Sequence, residues 1–419
     1  FLKIYEVKEH ILSYEFLCFD GSWRISFIKG LNFTFIMVQV NPQAIELNDL
    51  IQNQNSNVLD MLSGRGKHIF FPKKGILAQS ADAKGKDINA TIGIALEEDL
   101  SPMRLKCVAK LIKKLDPKDV FPYAPSFGKP ELREKWKEML KVKNPSLKAE
   151  ISLPVVTNAL THGLSMVGYL FVDNGDNIIL PNLFWGNYRL IFENTYGAQL
   201  DCFNMFKEGV FDLNSFKTKL SEAESEKKIV LLNFPNNPTG YTLMDEEADR
   251  VVKIIKEEAE KGSKIVVIVD DAYFGLVYKE GVYKESLFSR LASLHENVLA
   301  IKLDGATKED YVWGFRVGFV TFGIKNGNKE LYTALENKLA GAVRGTISNA
   351  PHLSQSLVLR GLNSKKYEKE KNKKYEILKT RYLKVRDVLR DEKYDKFFKT
   401  LPFNSGYFMC VKLNEEIDA

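Results

Sequence analysis

Lys308 and Arg316, eight residues apart, lie in the run Asp304-Gly-Ala-Thr-Lys-Glu-Asp-Tyr-Val-Trp-Gly-Phe-Arg-Val-Gly318. An apolar stretch over 297–303 leads into this run and a second, over 315–322, leads out; both read as buried strands. A lysine just past the end of a buried strand is desolvated, which lowers its pKa and frees the amine to act as a nucleophile. An arginine a short loop away brings a planar fork suited to phosphate. A nucleophilic amine beside a phosphate anchor is what holding pyridoxal phosphate requires. Alone the pair is ordinary; its company gives it weight.

That company comes from the elements that must position it. From about residue 151 the chain alternates strand and helix. Val155 and Val156 close a short strand, 161–172 reads as a helix, and 177–180 and 228–232 read as strands. A helix over 245–261 carries Val251, Val252, Ile254, Ile255 and Ala259 at helical spacing. The β-branched run 264–269 has the pattern of a strand buried on both faces. Such alternation predicts an α/β fold, a mostly parallel central sheet sandwiched between helices, whose ligands sit beyond the carboxyl ends of the strands.

Chemistry-bearing residues come after the strands, where that rule puts a crevice. Asn233-Phe-Pro-Asn-Asn237-Pro-Thr-Gly240 succeeds one strand, Asp270-Asp-Ala-Tyr273 the next, and Lys308 the third. Thr157-Asn-Ala-Leu-Thr161 succeeds a fourth and opens a helix, whose free N–H groups at Ala159–Thr161 offer a phosphate site. Asp270 suits a protonated ring nitrogen, and Tyr273 and Asn237 suit a ring oxygen.

These residues resemble the fold-type I pyridoxal-phosphate enzymes, and within them the class I/II aminotransferases of the aspartate aminotransferase type, from about Gly93 to Phe408. Asn237-Pro-Thr-Gly240 and Asp270-Asp-Ala-Tyr273 look like the family's ring-oxygen and ring-nitrogen motifs, and Gly305-Ala-Thr-Lys308 through Arg316-Val-Gly318 like its cofactor-attachment signature. Phe184-Trp185-Gly-Asn187-Tyr188 is similar to the loop whose aromatic stacks on the ring. Phe121-Pro-Tyr123-Ala-Pro-Ser-Phe-Gly128 is similar to the segment whose tyrosine reaches the neighbouring subunit's phosphate. Arg344-Gly-Thr-Ile-Ser348-Asn-Ala-Pro351 looks like the segment whose arginine crosses to a substrate's distal carboxylate.

The resemblance implies pyridoxal 5'-phosphate held by Lys308, Asp270, Tyr273, Asn237, Arg316, Trp185, Tyr123, Ala159, Leu160 and Thr307. Of these, Lys308, Asp270 and Tyr273 are the catalytic expectations. Arg344, Gly93, Trp185 and Asn237 are expected around the substrate. It further implies a homodimer with shared active sites. The fold implied is the fold-type I transferase sandwich plus a smaller α+β domain. The expected layout is an atypical extension over 1–36, an arm and part of the small domain over 37–101, a large cofactor domain over 102–377, and a C-terminal small domain over 378–419. Residues 1–36 are an extension or, the preferred reading, sequence upstream of a start at Met37.

Three departures stand out. Tyr311 replaces a small or aliphatic residue. Gly305 stands where many members carry a phosphate-binding serine, which shifts that contact to Thr307. The family's C-terminal arginine for the substrate α-carboxylate falls beyond Ala419, so the C-terminal domain reads as incomplete.

Composition excludes other classes. A 419-residue chain that is 45% hydrophobic can bury a large core. Its 60 basic and 54 acidic residues leave +6, spread too evenly for a nucleic-acid surface. The basic stretch 365–399 is interleaved with glutamates and apolar residues and reads as a solvated helix face. Cys18, Cys107, Cys202 and Cys410 are far apart, which indicates neither a disulfide framework nor a metal site and fits a reducing, cytoplasmic setting. No apolar run reaches the roughly 18 residues of a membrane span.

Each motif has a bland alternative. Asn-Pro-Thr-Gly is a good turn by itself, Asp270-Asp271 suits a strand end, Trp185 suits a core, Arg344 suits an interface salt bridge, and His162 reads as a helix-face residue. Four role-matched groups after four strands outweigh these. The expected activity is amino-group transfer between an amino acid (aspartate, glutamate or an aromatic one) and a 2-oxo acid such as 2-oxoglutarate. A carbon–sulfur β-lyase and a cofactor-binding but silent protein are the alternatives.

Overall fold

Apolar stretches of four to eight residues, too short for helices, line up as a seven-stranded sheet in the computed structural model of the chain. The structure describes residues 40–54, 62, 67, 83, 86, 95–99, 101, 103–111 and 115–414, all within the unit Val40–Ala419. The expected extension over 1–36 and Gly93 lie outside the described residues.

The strands are β1 Val155–Asn158, β2 Asn177–Pro181, β3 Gln199–Phe203, β4 Phe206–Lys207, β5 Val210–Phe211, β6 Lys227–Asn233, β7 Lys264–Asp270, β8 Val298–Gly305, β9 Val317–Gly323, β10 Phe398–Thr400 and β11 Val411–Leu413. The main sheet runs β1-β9-β8-β7-β6-β2-β3. Its five strands from β3 to β8 are parallel, while β9 is antiparallel to both β8 and β1. The helices are α1 Pro42–Gln54, α2 Lys106–Ala109, α3 Pro130–Lys143, α4 Ala159–Phe171, α5 Leu213–Glu222, α6 Asp245–Glu260, α7 Phe288–Leu291, α8 Ala306–Glu309, α9 Lys329–Ile347, α10 His352–Leu362 and α11 Tyr367–Val388.

β7 is buried over its last six residues and β9 throughout, because helices cover both faces of the sheet. Of the basic stretch 365–399, Tyr367–Val388 folds as α11, which buries Tyr367, Lys374, Leu378 and Tyr382 and turns most of its charge to solvent. The remainder forms a 3-10 turn at Glu392–Tyr394 and leads into β10. Among the described residues no helix is long and apolar enough to cross a membrane, and no His, Cys, Asp or Glu cluster suits a metal ion.

Several boundaries shift by one or two residues from the sequence reading, and two of the shifts matter for the site. β9 starts at Val317 rather than 315, because Trp313–Phe315 forms a 3-10 turn and Arg316 adopts a left-handed conformation at φ 55°. β8 continues through Asp304 and Gly305, past the end of its apolar run. A buried charge lattice permits that extension. Lys302, 0% exposed, pairs with Asp271, lies 3.4 Å from Asp304 and sits 4.6 Å from the centre of the Phe274 ring. Trp136 donates to Asp304 at 3.0 Å, and Ser286 donates to Asp271 at 2.5 Å.

A buried charge that loses its partner is costly. Lys302→Met should therefore destabilise the fold by about 3–5 kcal/mol in denaturant titration, since Asp271 and Asp304 would be left without a counter-charge. A loss below about 1 kcal/mol would show that the two acids do not depend on Lys302.

Candidate active site

Sheet register builds the site. β6, β7 and β8 run parallel, with Asn233 beside Asp270 and Asp270 beside Leu303, and β8 extends two residues further. The segments after these three strands therefore leave from one edge of the sheet. Asn233 locks two of these exits together. Its amide donates to the Asp270 carbonyl at 2.7 Å and its side-chain oxygen accepts from the Asn237 N–H at 2.8 Å.

Asp270 is 3% exposed. One carboxylate oxygen accepts from the Tyr188 hydroxyl at 2.5 Å, the other from the Ala272 N–H at 3.1 Å. Burial pushes its pKa up, opposed by the Tyr188 bond, by the Lys308 charge, by the Ala272 N–H and by Lys302. Lys308 shows the converse: burial pushes its amine down, Asp270 opposes and Arg316 adds to the lowering. Its Nζ lies 4.9 Å from the centre of the Tyr273 ring. The Tyr273 hydroxyl accepts from the Asn237 amide at 3.3 Å, and burial raises its pKa so that it stays a donor.

Tyr407 and Phe408 meet Tyr273 edge-on at 5.3 and 5.6 Å. Gly240 brings them there. It adopts φ +69°, its carbonyl accepts from the Asn404 and Ser405 N–H groups at 2.9 Å, and a Cβ on it would stand 2.0 Å from the Phe408 carbonyl oxygen. The turn residue is glycine because another backbone lies on it. Trp185, half-buried, packs edge-on against Tyr188 at 5.6 Å.

The antiparallel side of the sheet makes a second group. Asn158 pairs with Val317, and Gly318 lies between Thr157 and Gly305. That register gathers the start of α4, Arg316 and Thr307. A Cβ on Gly318 would approach the Ala159 carbonyl carbon to 2.6 Å, and one on Gly305 would approach the Val317 oxygen to the same distance. A serine at 305 has no room, which accounts for that departure. The Thr307 hydroxyl is buried without a partner, and the Leu160 and Thr161 N–H groups meet no acceptor among the described residues. The Ala159 N–H instead donates to the Arg316 carbonyl at 3.1 Å, so Ala159 shapes the cup while its neighbours supply its donors.

Ala159, Tyr311 and Arg316 all adopt positive φ, at 62°, 59° and 55°. Each such non-glycine residue costs about 1–2 kcal/mol, and strain of this kind gathers at working sites. Orphaned donors at a helix N-terminus with an exposed arginine beside them suit a phosphate dianion. With the buried carboxylate, the phenol–amide pair and the desolvated amine, they fit a phosphorylated pyridine aldehyde.

Tyr123, 89% exposed, and Arg344, exposed on the last turn of α9, stand apart from this group and meet no polar partner among the described residues. The sequence reading gave no role to Tyr188 or Asn233. For Asn233 a signal existed, its place as the last residue of a strand whose neighbour ends in Asp270. For Tyr188 there was none beyond its aromatic motif.

The family profile described as aminotransferase class I and II matches residues 87–419. The chain is 30% identical over 200 residues to the probable aspartate/prephenate aminotransferase of Aquifex aeolicus, covering 47% of this chain and 48% of that one. It is 27% identical over 254 residues to the probable N-acetyl-LL-diaminopimelate aminotransferase of Bacillus subtilis, covering 58% and 56%. The match thus spans about half the length of these curated relatives. The crystal structure of an aminotransferase from Anaerococcus prevotii superposes with a TM-score of 0.72 at 26% identity, over 84% of this chain and 87% of that one.

Aldehyde capture by Lys308 depends on its deprotonated fraction. With the pKa lowered, uptake of pyridoxal 5'-phosphate by apo-protein, trapped with borohydride, should rise with pH and level off below the usual lysine value of 10.5. Asp270 opposes the lowering, so Asp270→Asn should move the plateau to still lower pH. An upward shift in that variant would contradict the assigned electrostatics.

Proposed function

The chain belongs to the class I and II aminotransferases, a family of pyridoxal 5'-phosphate enzymes, and we propose that it transfers an amino group between an amino acid and a 2-oxo acid. The convergence of Asp270, the Asn237–Tyr273 pair, Lys308 and the Thr307–Arg316 cup at one sheet edge carries the reading. Asp270 would pair with the protonated ring nitrogen, Tyr273 and Asn237 would donate to the ring oxygen, and Trp185 would lie on the ring face. Arg316, Thr307 and the N–H groups of Leu160 and Thr161 would hold the phosphate.

The bound cofactor supplies an electron sink for charge developing at the substrate α-carbon. The protein supplies the proton handling. Lys308 Nζ would take the proton from that carbon as general base and, as general acid, pass it to the C4′ carbon of the cofactor. The lowered amine pKa suits it to the first task. Tyr188 favours the ionised form of Asp270 against the effect of burial and fixes the carboxylate in direction. Both half-reactions use one pocket, so kinetics are ping-pong.

We further propose a homodimer with shared sites. Tyr123 and Arg344 are exposed and unpartnered among the described residues, as groups that serve a neighbour would be. Arg344 would grip the distal carboxylate of aspartate, glutamate or 2-oxoglutarate, and Gly93 would line the same pocket.

Glutamate-dependent conversion of 2-oxo acids should be measurable and should vanish in Lys308→Ala, together with the borohydride-trapped adduct. Release of pyruvate and ammonia from cystathionine, without transamination, would sink the proposal in favour of the lyase.

A guanidinium–carboxylate fork is worth about 1.5–3 kcal/mol per bond. Arg344→Asp should therefore lower kcat/KM for glutamate and aspartate by about 100-fold or more, and for phenylalanine by less than about tenfold. Equal proportional losses would remove Arg344 from the distal carboxylate.

A further inference from the structure

His162 joins two elements that the proposed function uses. Its Nδ1 accepts from the Asn158 N–H at 3.2 Å, at the mouth of the phosphate cup. Its Nε2 meets the Thr346 hydroxyl on α9 at 3.0 Å. The Thr346 hydroxyl also lies 3.0 and 3.1 Å from the Ala342 and Val343 carbonyls and 3.6 Å from the Met166 sulfur, acceptors enough for its one hydrogen, while a ring that accepts at Nδ1 carries its proton on Nε2. The hydroxyl oxygen must then accept from the ring. A ring that accepts at Nδ1 and donates at Nε2 is neutral with one tautomer. Burial acts in the same direction, lowering the pKa of the imidazole.

α9 packs on α4, and Thr346 stands two residues from Arg344. Ser348 follows the last residue of α9, and its carbonyl accepts from the Ser126 hydroxyl at 2.8 Å, in the loop that carries Tyr123. One chain of hydrogen bonds thus runs from Asn158 through His162 and Thr346 to α9, whose end reaches the Tyr123 loop. It links the cup to both residues that the shared-site reading sends to the neighbouring subunit.

We propose that His162 is a positioning residue that couples filling of the phosphate cup to docking of the partner subunit. The inference rests on the shared-site reading above. Phosphate drawn onto the Leu160 and Thr161 N–H groups fixes the first turn of α4, and with it the Asn158–His162 bond. The fixed ring holds Thr346, and so the turn of α9 that presents Arg344.

Subunit exchange between donor-labelled and acceptor-labelled populations reads the linkage, even for a tight dimer. In the parent protein, saturating pyridoxal 5'-phosphate should slow exchange about tenfold, within the usual range of coupling. Thr346→Val removes the joint from the α9 side. His162→Asn keeps an acceptor for the Asn158 N–H but cannot reach Thr346. In each variant the slowing should shrink to about twofold or less, and combining them should add nothing. His162→Ala also bares the Asn158 N–H, so it should bind the cofactor more weakly than His162→Asn does, a difference that side-chain packing alone would not produce. A dimer whose variants keep the tenfold slowing, or a parent dimer with none, overturns this inference and leaves the shared-site reading standing. A chain that stays monomeric at every concentration overturns both.

Discussion

The proposed chemistry needs Asp270 charged although it is buried, and much of the structure around it bears on that requirement. A lone carboxylate there would be pulled toward its neutral form. The Tyr188 hydroxyl, the Lys308 charge and the Ala272 N–H oppose that pull and favour the ionised form. The next residue meets the same problem separately. Asp270 faces the crevice with Tyr188, whereas Asp271 is satisfied by Lys302 and Ser286 inside the core. Two adjacent acids in sequence thus sit in two separate electrostatic environments, the first of which the proposed function uses.

The opposing group, the phosphate cup, is built from backbone. Three strand ends come together there because Gly305 and Gly318 carry no Cβ. Left-handed conformations at Ala159 and Arg316 then turn the chain so that the Ala159 N–H is spent on Arg316 and the next N–H groups are left over. Strain of this size persists only where surrounding packing over-determines the conformation. Here the packed residues include Val317 and Phe319 of β9, which are fully or almost fully buried.

Six of the seven strands were legible because they are short, mostly apolar runs, and the chemistry was legible because it comes just after them. β3, which mixes Gln199 and Asp201 with apolar residues, was not read as a strand. Asp270, Tyr273, Asn237 and Lys308 are all close in sequence to a strand end, so a local pattern sufficed to bring them together. The rest depended on partners far along the chain. Tyr188 lies 82 residues from Asp270 and His162 lies 184 from Thr346, and no local periodicity encodes such pairs. The start of β9 was misplaced because hydrophobicity does not report one left-handed residue, here Arg316. The end of β8 was misplaced because Lys302 and Asp304 look like surface until Asp271 and Trp136 are seen around them.

The docking of Asn404 and Ser405 on Gly240 divides the pocket into parts of unequal evolvability. Around the proposed phosphate cup the close packing is main chain, which at Gly305 and Gly318 tolerates no added atom. The wall formed by Tyr407 and Phe408 is side chain, half-buried and replaceable without moving a strand. A combinatorial library aimed at new substrates should therefore randomise the wall and leave the main-chain packing alone. The same asymmetry lets duplicated copies of such a gene drift toward different amino acids while their shared chemistry stays fixed.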